Sequence, residues 1–181
     1  KAGDTLYLRG GTYTTLAPNR IWTVRLTATQ DKPLTIRSAP GERAILEFWN
    51  PATGTANFQV GNAAKSFGHN LIIRDLVFRN TRQQPRASPV SPAWELHRGA
   101  IILLGDNCKF LHNVVHDLGE GVTCEQLAVG GEIYGNVIYN CGWIDGARGN
   151  GHGIYLQNVG PTPKVAENNI IFQGWQGSAA I

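Results

Sequence analysis

Four segments of this chain share one pattern, and this internal repetition constrains the fold more than any other feature. Each segment opens with an Asp or Asn, continues with three apolar or ring-bearing residues, and ends in polar residues, often with glycine. Each also follows another short apolar stretch. The segments begin at Asp75, Asn113, Asn136 and Asn169. A pattern that recurs in this way predicts a solenoid, in which each copy stacks on the previous one.

The spacing of the repeat indicates the type of solenoid. The four anchoring positions lie 38, 23 and 33 residues apart, so the shortest interval gives the length of a bare coil. A unit of about 23 residues is too short for a pair of helices, and these segments show no 3.6-residue period. The sequence therefore predicts an all-β fold, a right-handed parallel β-helix with three short strands per coil. We expect one domain over residues 1–181, with loop insertions at 81–98 and 143–150.

Other stretches fit the same coils. Alternating apolar and polar residues predict strands near the N-terminus, and three later stretches would open further coils. These segments are 5–9, 22–26, 34–37, 44–48, 58–60, 100–104 and 153–156. An Asn or Asp at a sharp bend between strands bonds nearby backbone amides and tolerates left-handed dihedrals. We therefore expect the four anchoring residues to form a structural ladder.

Composition excludes several functional classes. The net charge is +3 and the basic residues are scattered, which argues against nucleic acid as a partner. No apolar run approaches the roughly 20 residues of a membrane-spanning helix. The chain starts at Lys1 and has no methionine, which predicts a mature form or an excised piece. The cysteines Cys108, Cys124 and Cys141 lack a zinc-binding spacing, so we expect small buried core residues.

Two stretches carry a family resemblance. Residues 2–13 resemble the first strand of pectate-lyase-like β-helix proteins, notably alginate lyase and chondroitinase B-like polysaccharide lyases. Residues 151–158, with their neighbours, resemble the repeats of bacterial secreted β-helix proteins. The resemblance implies a secreted or cell-surface protein that binds or cleaves an acidic polysaccharide. It also implies that an N-terminal cap and further C-terminal coils are missing, so we expect the open ends to need those flanks, a partner or end-to-end self-association.

The two insertions give the strongest argument for a site. Both follow the same strand of their coils, so both should project on one side and flank one groove. Aromatic faces stack on sugar rings, and guanidinium groups bind carboxylates or sulfates through two hydrogen bonds. We therefore predict a substrate-binding set of Arg82, Trp94, His97, Arg98, Trp143 and Tyr155.

Lyase chemistry on a uronic acid requires a base and a group that neutralises the sugar carboxylate. His116, His152, His97 and Tyr155 are candidate bases, and Arg98 and Arg148 are candidates for neutralisation. We therefore predict a catalytic set of His152, Arg148, Asp145 and His116. The repeat places His116 opposite Phe78, Tyr139 and Phe172, which favours a packed histidine. No calcium-and-lysine motif of the family is identifiable, so calcium as a cofactor stays open.

Two alternatives remain. A glycoside hydrolase would need two carboxyl groups roughly 5 to 9.5 Å apart, which Asp117 or Glu120 could provide with Asp145. The chain lacks the repeated Asp-Asp signature of pectin hydrolases, so hydrolysis ranks below elimination. A non-catalytic module that binds glycans or forms part of a fibre carries about the same weight as the lyase.

Overall fold

The computed structural model describes residues 1–14, 21–48, 58–80, 87–88, 100–145, 148–159 and 161–172. Side chains are described at these positions except 87–88, 143–145 and 148–150. Within these ranges the chain forms strands and turns, and it contains no helix that could span a membrane.

Three parallel sheets, here named A, B and C, form the body of the molecule. Sheet A contains β1 (Thr5–Leu8), β4 (Leu34–Ser38), β7 (Leu71–Arg74), β11 (Lys109–Leu111), β14 (Glu132–Tyr134) and β19 (Val165–Glu167). Sheet B contains β2 (Gly11–Thr14), β5 (Ala44–Phe48), β8 (Leu76–Asn80), β12 (Val114–His116), β15 (Val137–Tyr139) and β20 (Ile170–Phe172). Sheet C contains β3 (Trp22–Val24), β6 (Phe58–Val60), β10 (Ile101–Leu103), β13 (Val122–Cys124) and β18 (Ile154–Leu156).

The chain visits sheets A, B and C in turn before it returns to A. Neighbouring strands of one sheet therefore belong to successive coils, and all pairings within the three sheets are parallel. Lys109 pairs with Glu132 across adjacent coils, which is the 23-residue step of the repeat. The predicted all-β parallel solenoid is confirmed.

The core fills the space between the three sheets. Strands β4 and β5 alternate buried and half-buried residues, because successive side chains point to opposite faces. Phe48, Phe78 and Phe110 come from successive coils and are fully buried. The ring centroids of Phe48 and Phe78 lie 6.3 Å apart, and those of Phe78 and Phe110 lie 5.4 Å apart. This aromatic column ties the coils together along the axis of the solenoid.

The cysteines belong to the same core. Cys108, Cys124 and Cys141 are free and buried, as predicted. Burial raises the pKa of Cys108 to about 12 and that of Cys124 to about 11. Since the thiolate is the reactive form, these two thiols are chemically inert near neutral pH.

A ladder of asparagines joins the coils at the corner between sheets A and B. The backbone N–H of Asn113 donates to Asn136 Oδ1 at 2.9 Å, and Asn136 Nδ2 donates to the Phe110 carbonyl at 2.9 Å. The side chains of Asn113 and Asn169 form the same pair of bonds, each to a backbone N–H and a carbonyl of the coil before it. Each amide thus satisfies one backbone donor and one backbone acceptor of the preceding coil.

Asp75 is not a member of this ladder, so the predicted alignment was wrong by one residue. Asn113 Oδ1 accepts a hydrogen bond from the backbone N–H of Leu76, and Asp75 lies one position before Leu76. That position has a left-handed backbone in successive coils. Its φ values are 57° at Asp75, 54° at His112, 67° at Gly135 and 55° at Asn168. Because Asp and Asn suit both adjacent positions, the sequence did not distinguish the bend residue from the ladder residue.

The same one-residue shift changes the alignment of His116. His116 pairs with Arg79 and with Tyr139, whereas Phe78 pairs with Val115 and points into the core. The predicted equivalence of His116 with Phe78 is therefore wrong, while its equivalence with Tyr139 holds.

The two insertions both connect sheet B to sheet C, and their backbones meet. A small fourth sheet contains β9 (Ala87–Ser88), β16 (Trp143–Asp145) and β17 (Arg148–Asn150). Strand β9 comes from the first insertion and pairs in parallel with β16 of the second. Strands β16 and β17 form an antiparallel pair in which Asp145 lies opposite Arg148.

Candidate functional site

The corner at which the chain enters sheet C places two ionisable residues on adjacent coils. Glu120 and Gly121 precede β13, and His152 and Gly153 precede β18. The backbone N–H of Gly121 donates to the His152 carbonyl at 2.8 Å, and that of Val122 donates to the Gly153 carbonyl at 2.9 Å. Glu120 and His152 therefore occupy equivalent positions, about 4.8 Å apart along the solenoid axis.

Glycines allow this close stacking. A Cβ at Gly121 would overlap the carbonyl of Gly153, and a Cβ at Gly151 would overlap the carbonyl of Gly119. Gly151 also has φ 74°, a conformation that L side chains rarely adopt. The two glycines that flank His152, Gly151 and Gly153, therefore lie close to the backbone of the preceding coil.

The outer face of sheet C supplies two more side chains beside this corner. Thr123 and Tyr155 are cross-strand partners, and they point outward because Val122 and Cys124 lie in the core. The rings of His152 and Tyr155 are stacked, with centroids 5.1 Å apart and an interplanar angle of 17°. We name the four residues Glu120, Thr123, His152 and Tyr155 the corner site.

Two buried polar atoms of the corner site have no hydrogen-bond partner in the part of the chain that the structure describes. Thr123 is 4% exposed although it points outward. Among the described residues, neither Thr123 Oγ1 nor His152 Nδ1 has a hydrogen-bond partner. A buried polar group without a partner costs about 1–3 kcal/mol, and native proteins contain few of them. Two of them on adjacent coils mark a place where a bound group would complete the hydrogen bonding.

Burial raises the pKa of the Glu120 carboxyl above its ordinary value. The nearby Thr123 hydroxyl and the His152 ring oppose this shift, and the Glu125 carboxylate adds to it. The Thr123 hydroxyl lies close enough to favour the Glu120 carboxylate without completing a hydrogen bond of ordinary geometry. Glu120 therefore retains its proton at a higher pH than an exposed glutamate does.

His116 has a different environment, on the outer face of sheet B. Its Nδ1 is bonded to Asp117 Oδ2 at 2.7 Å, and Asp117 also accepts from Asn140 Nδ2. Its ring stacks on Tyr139 at 4.8 Å, and Tyr139 stacks on Phe172 at 5.1 Å. Because the rings stack face to face, the column presents mainly ring edges to a ligand. This arrangement ties three coils together and holds the His116 ring in one orientation, and the catalytic role of His116 remains a prediction.

The other predicted site residues are only partly described. Arg82, Trp94, His97 and Arg98 lie outside the described residues. Trp143, Asp145 and Arg148 lie in the small fourth sheet, and their side chains lie outside the described part of the chain. The predictions about all seven therefore remain predictions.

Of the predicted site residues, the structure brings His152 and Tyr155 together. Sequence reasoning missed Thr123, and it considered Glu120 solely as a carboxyl group for hydrolysis. A signal for Glu120 was present in the chain. Residues 120–122 and 152–154 both read as an ionisable residue, a glycine and a β-branched apolar residue, which marks equivalent positions of two coils.

No group of three or more His, Cys, Asp or Glu side chains among the described residues could hold a metal ion. Comparisons with protein-family models, with curated proteins and with solved structures found no match for this chain. The resemblance to pectate-lyase-like proteins therefore remains a prediction from the sequence, while the parallel β-solenoid is what the structure establishes.

Proposed function

We propose that this protein is a lyase-like enzyme that acts on an acidic polysaccharide at the corner site. One observation carries the proposal. A half-buried carboxyl group with a raised pKa lies beside two buried polar atoms that have no partner among the described residues. Ionisable groups with shifted pKa values cluster at functional sites, and groups without partners leave hydrogen-bonding capacity for a ligand.

The position of the corner site supports a polymeric substrate. The site lies beside the second insertion, which returns to the coil just before His152, and the two insertions meet through β9 and β16. Loops on one side of a rigid solenoid commonly carry its binding residues. The aromatic and basic residues predicted from the sequence belong to these insertions, and Tyr155 has an exposed ring beside them.

The proposed reaction is an elimination at a uronic acid. His152 removes the proton next to the sugar carboxylate, since an imidazole is an effective base near neutral pH. Arg98 and Arg148 neutralise the carboxylate, which makes that proton more acidic. Tyr155 holds the His152 ring by stacking. Because acidic polysaccharides of this kind are found outside cells, we also propose that the protein is secreted or held at the cell surface.

The test is a panel of polymers. The chain is incubated with alginate, polygalacturonate and glycosaminoglycans, with calcium or with a chelator, while ultraviolet absorbance reports the unsaturated product. We expect one polymer to give product, and His152→Ala to lower kcat about 10²–10⁴-fold. His112→Ala is the control, because His112 is exposed at the corner between sheets A and B, and it should leave kcat within about twofold.

Other outcomes would overturn the proposal. Binding without product would indicate the non-catalytic glycan-binding module, and new reducing ends without the unsaturated product would indicate a hydrolase. Full activity in His152→Ala would remove the corner site from the reaction.

A further inference from the structure

We infer that Glu120 is the proton donor of this elimination, and that it delivers its proton to the departing oxygen while His152 acts as the base. This inference rests on the proposed function. It assigns to Glu120 a role that differs from the hydrolytic one considered from the sequence.

The first support is the geometry of the two coils. Glu120 and His152 occupy the same corner, and the hydrogen bond from Gly121 N–H to the His152 carbonyl fixes their relative position. In the elimination, the carbon that loses a proton and the oxygen that departs are attached to the same ring carbon. Two groups about one coil step apart can therefore reach both positions of one substrate.

The second support is the environment of the carboxyl group. The groups that act on Glu120 in the described structure are the Thr123 hydroxyl, the His152 ring and the Glu125 carboxylate. None of these three carries a fixed positive charge, whereas Glu42 at another corner is bound by the Arg9 guanidinium at 2.8 Å. A half-buried carboxyl group without a fixed cation keeps its proton to a higher pH than an exposed one, as a proton donor requires.

The third support is the neighbouring hydroxyl. Thr123 Oγ1 is buried and has no partner among the described residues, although the Glu120 carboxyl is close to it. A hydroxyl can both donate and accept, so it can hold the Glu120 carboxyl in position before and after proton transfer. We therefore assign Thr123 as a positioning residue.

The proposed step is balanced. His152 takes the proton from the carbon next to the carboxylate, and the electron pair of that C–H bond forms the new C=C bond. The adjacent C–O bond breaks, and its oxygen takes the proton of Glu120. Glu120 is left as a carboxylate and His152 as an imidazolium. Proton exchange with water restores both groups, and the step needs no oxidant or reductant.

The experiment compares two leaving groups in the full 181-residue chain. One substrate is the polymer, whose sugar oxygen needs a proton to depart. The other is a uronide that carries nitrophenol at the same position, which departs without a proton. Glu120→Gln should lower kcat on the polymer about 10²-fold or more, keep KM within about threefold, and keep kcat on the nitrophenyl substrate within about threefold.

Two variants serve as controls. Glu125→Gln alters a neighbouring carboxyl group just after the end of β13, and it should keep kcat within about threefold on both substrates. His152→Ala removes the base and should lower kcat on both. The pH profile gives an independent readout, because the alkaline decrease of kcat/KM caused by ionisation of Glu120 should be absent in Glu120→Gln. If circular dichroism shows that Glu120→Gln does not fold, Glu120→Asp replaces it, with the same selective loss expected on the polymer.

Failure of this inference is distinguishable from failure of the proposed function. If the wild-type chain makes unsaturated product and Glu120→Gln behaves like Glu125→Gln, Glu120 is not the donor and the lyase stands. Equal losses on both substrates would also overturn the donor role. If the wild-type chain eliminates neither substrate, the proposed function fails and the donor role fails with it.

Discussion

The corner between sheets A and B and the corner before sheet C both hold a column of polar side chains, but they differ in hydrogen bonding. At the first, each ladder asparagine bonds one backbone N–H and one carbonyl of the preceding coil. At the second, Thr123 Oγ1 and His152 Nδ1 are buried without partners among the described residues. Buried polar groups stabilise a fold when they are bonded and destabilise it when they are not. The first corner thus belongs to the scaffold, and the second is suited to bind a ligand.

The largest expected loss of stability comes from removing one asparagine of the ladder between sheets A and B. Asn136→Ala removes the acceptor of the Asn113 N–H and the donor to the Phe110 carbonyl, and it leaves both groups buried. We expect the free energy of unfolding, measured by urea denaturation, to fall by about 2–5 kcal/mol.

The control for this variant is Asn62→Ala. Asn62 bonds Ser66 within its own exposed turn, so its loss should cost about 1 kcal/mol or less. Equal effects of the two variants would show that the ladder contributes no more than an ordinary turn.

A second prediction concerns the pH dependence of stability at the corner site. Because the pKa of Glu120 is raised in the folded chain, folding favours its protonated form. Wild-type stability should therefore decrease as pH rises from about 4.3, the ordinary glutamate value, through the raised value. Glutamine does not ionise, so Glu120→Gln should have a higher Tm than wild type at neutral pH. The difference should disappear near pH 4.

Glu42 provides a control of opposite sign. The hydrogen bond from Arg9 lowers the pKa of Glu42, so this group stabilises the fold above the ordinary glutamate pKa and loses its effect as pH falls through the lowered value. Glu42→Gln should therefore lower Tm at neutral pH, and by less under acid conditions. The same sign for both variants would contradict the contrast between the two carboxyl groups.

The smallest expected effect on stability comes from removing the Thr123 hydroxyl at the corner site. Thr123→Val replaces a buried hydroxyl that lacks a described partner with a methyl group of similar size. We expect the free energy of unfolding to stay unchanged or to rise by up to about 1 kcal/mol. Thr35→Val, on the outer face of β4, controls for the strand preference of valine. A loss of more than about 1 kcal/mol relative to that control would show that the hydroxyl is bonded after all.

The repeat was sufficient to predict the fold, because the 23-residue step and the short apolar strands define a coil without further information. It was not sufficient to fix the register at Asp75, since aspartate suits both the left-handed bend and the next position. Thr123 was missed, and Glu120 was considered solely as a carboxyl group for hydrolysis, for a related reason. The second insertion separates their coil from that of His152, and the backbone pairing of β13 with β18 places the two coils side by side.

The contrast between the two corners is tested most directly by the pKa of Glu120 in the resting protein. Carbon-13 NMR of the side-chain carboxyl group gives this value without any substrate, so it is independent of the proposed reaction. We predict a titration midpoint above the ordinary glutamate value of about 4.3, which Thr123→Val raises further because it removes a group that favours the carboxylate. A midpoint at or below the ordinary value would contradict a protonated Glu120 at the corner site.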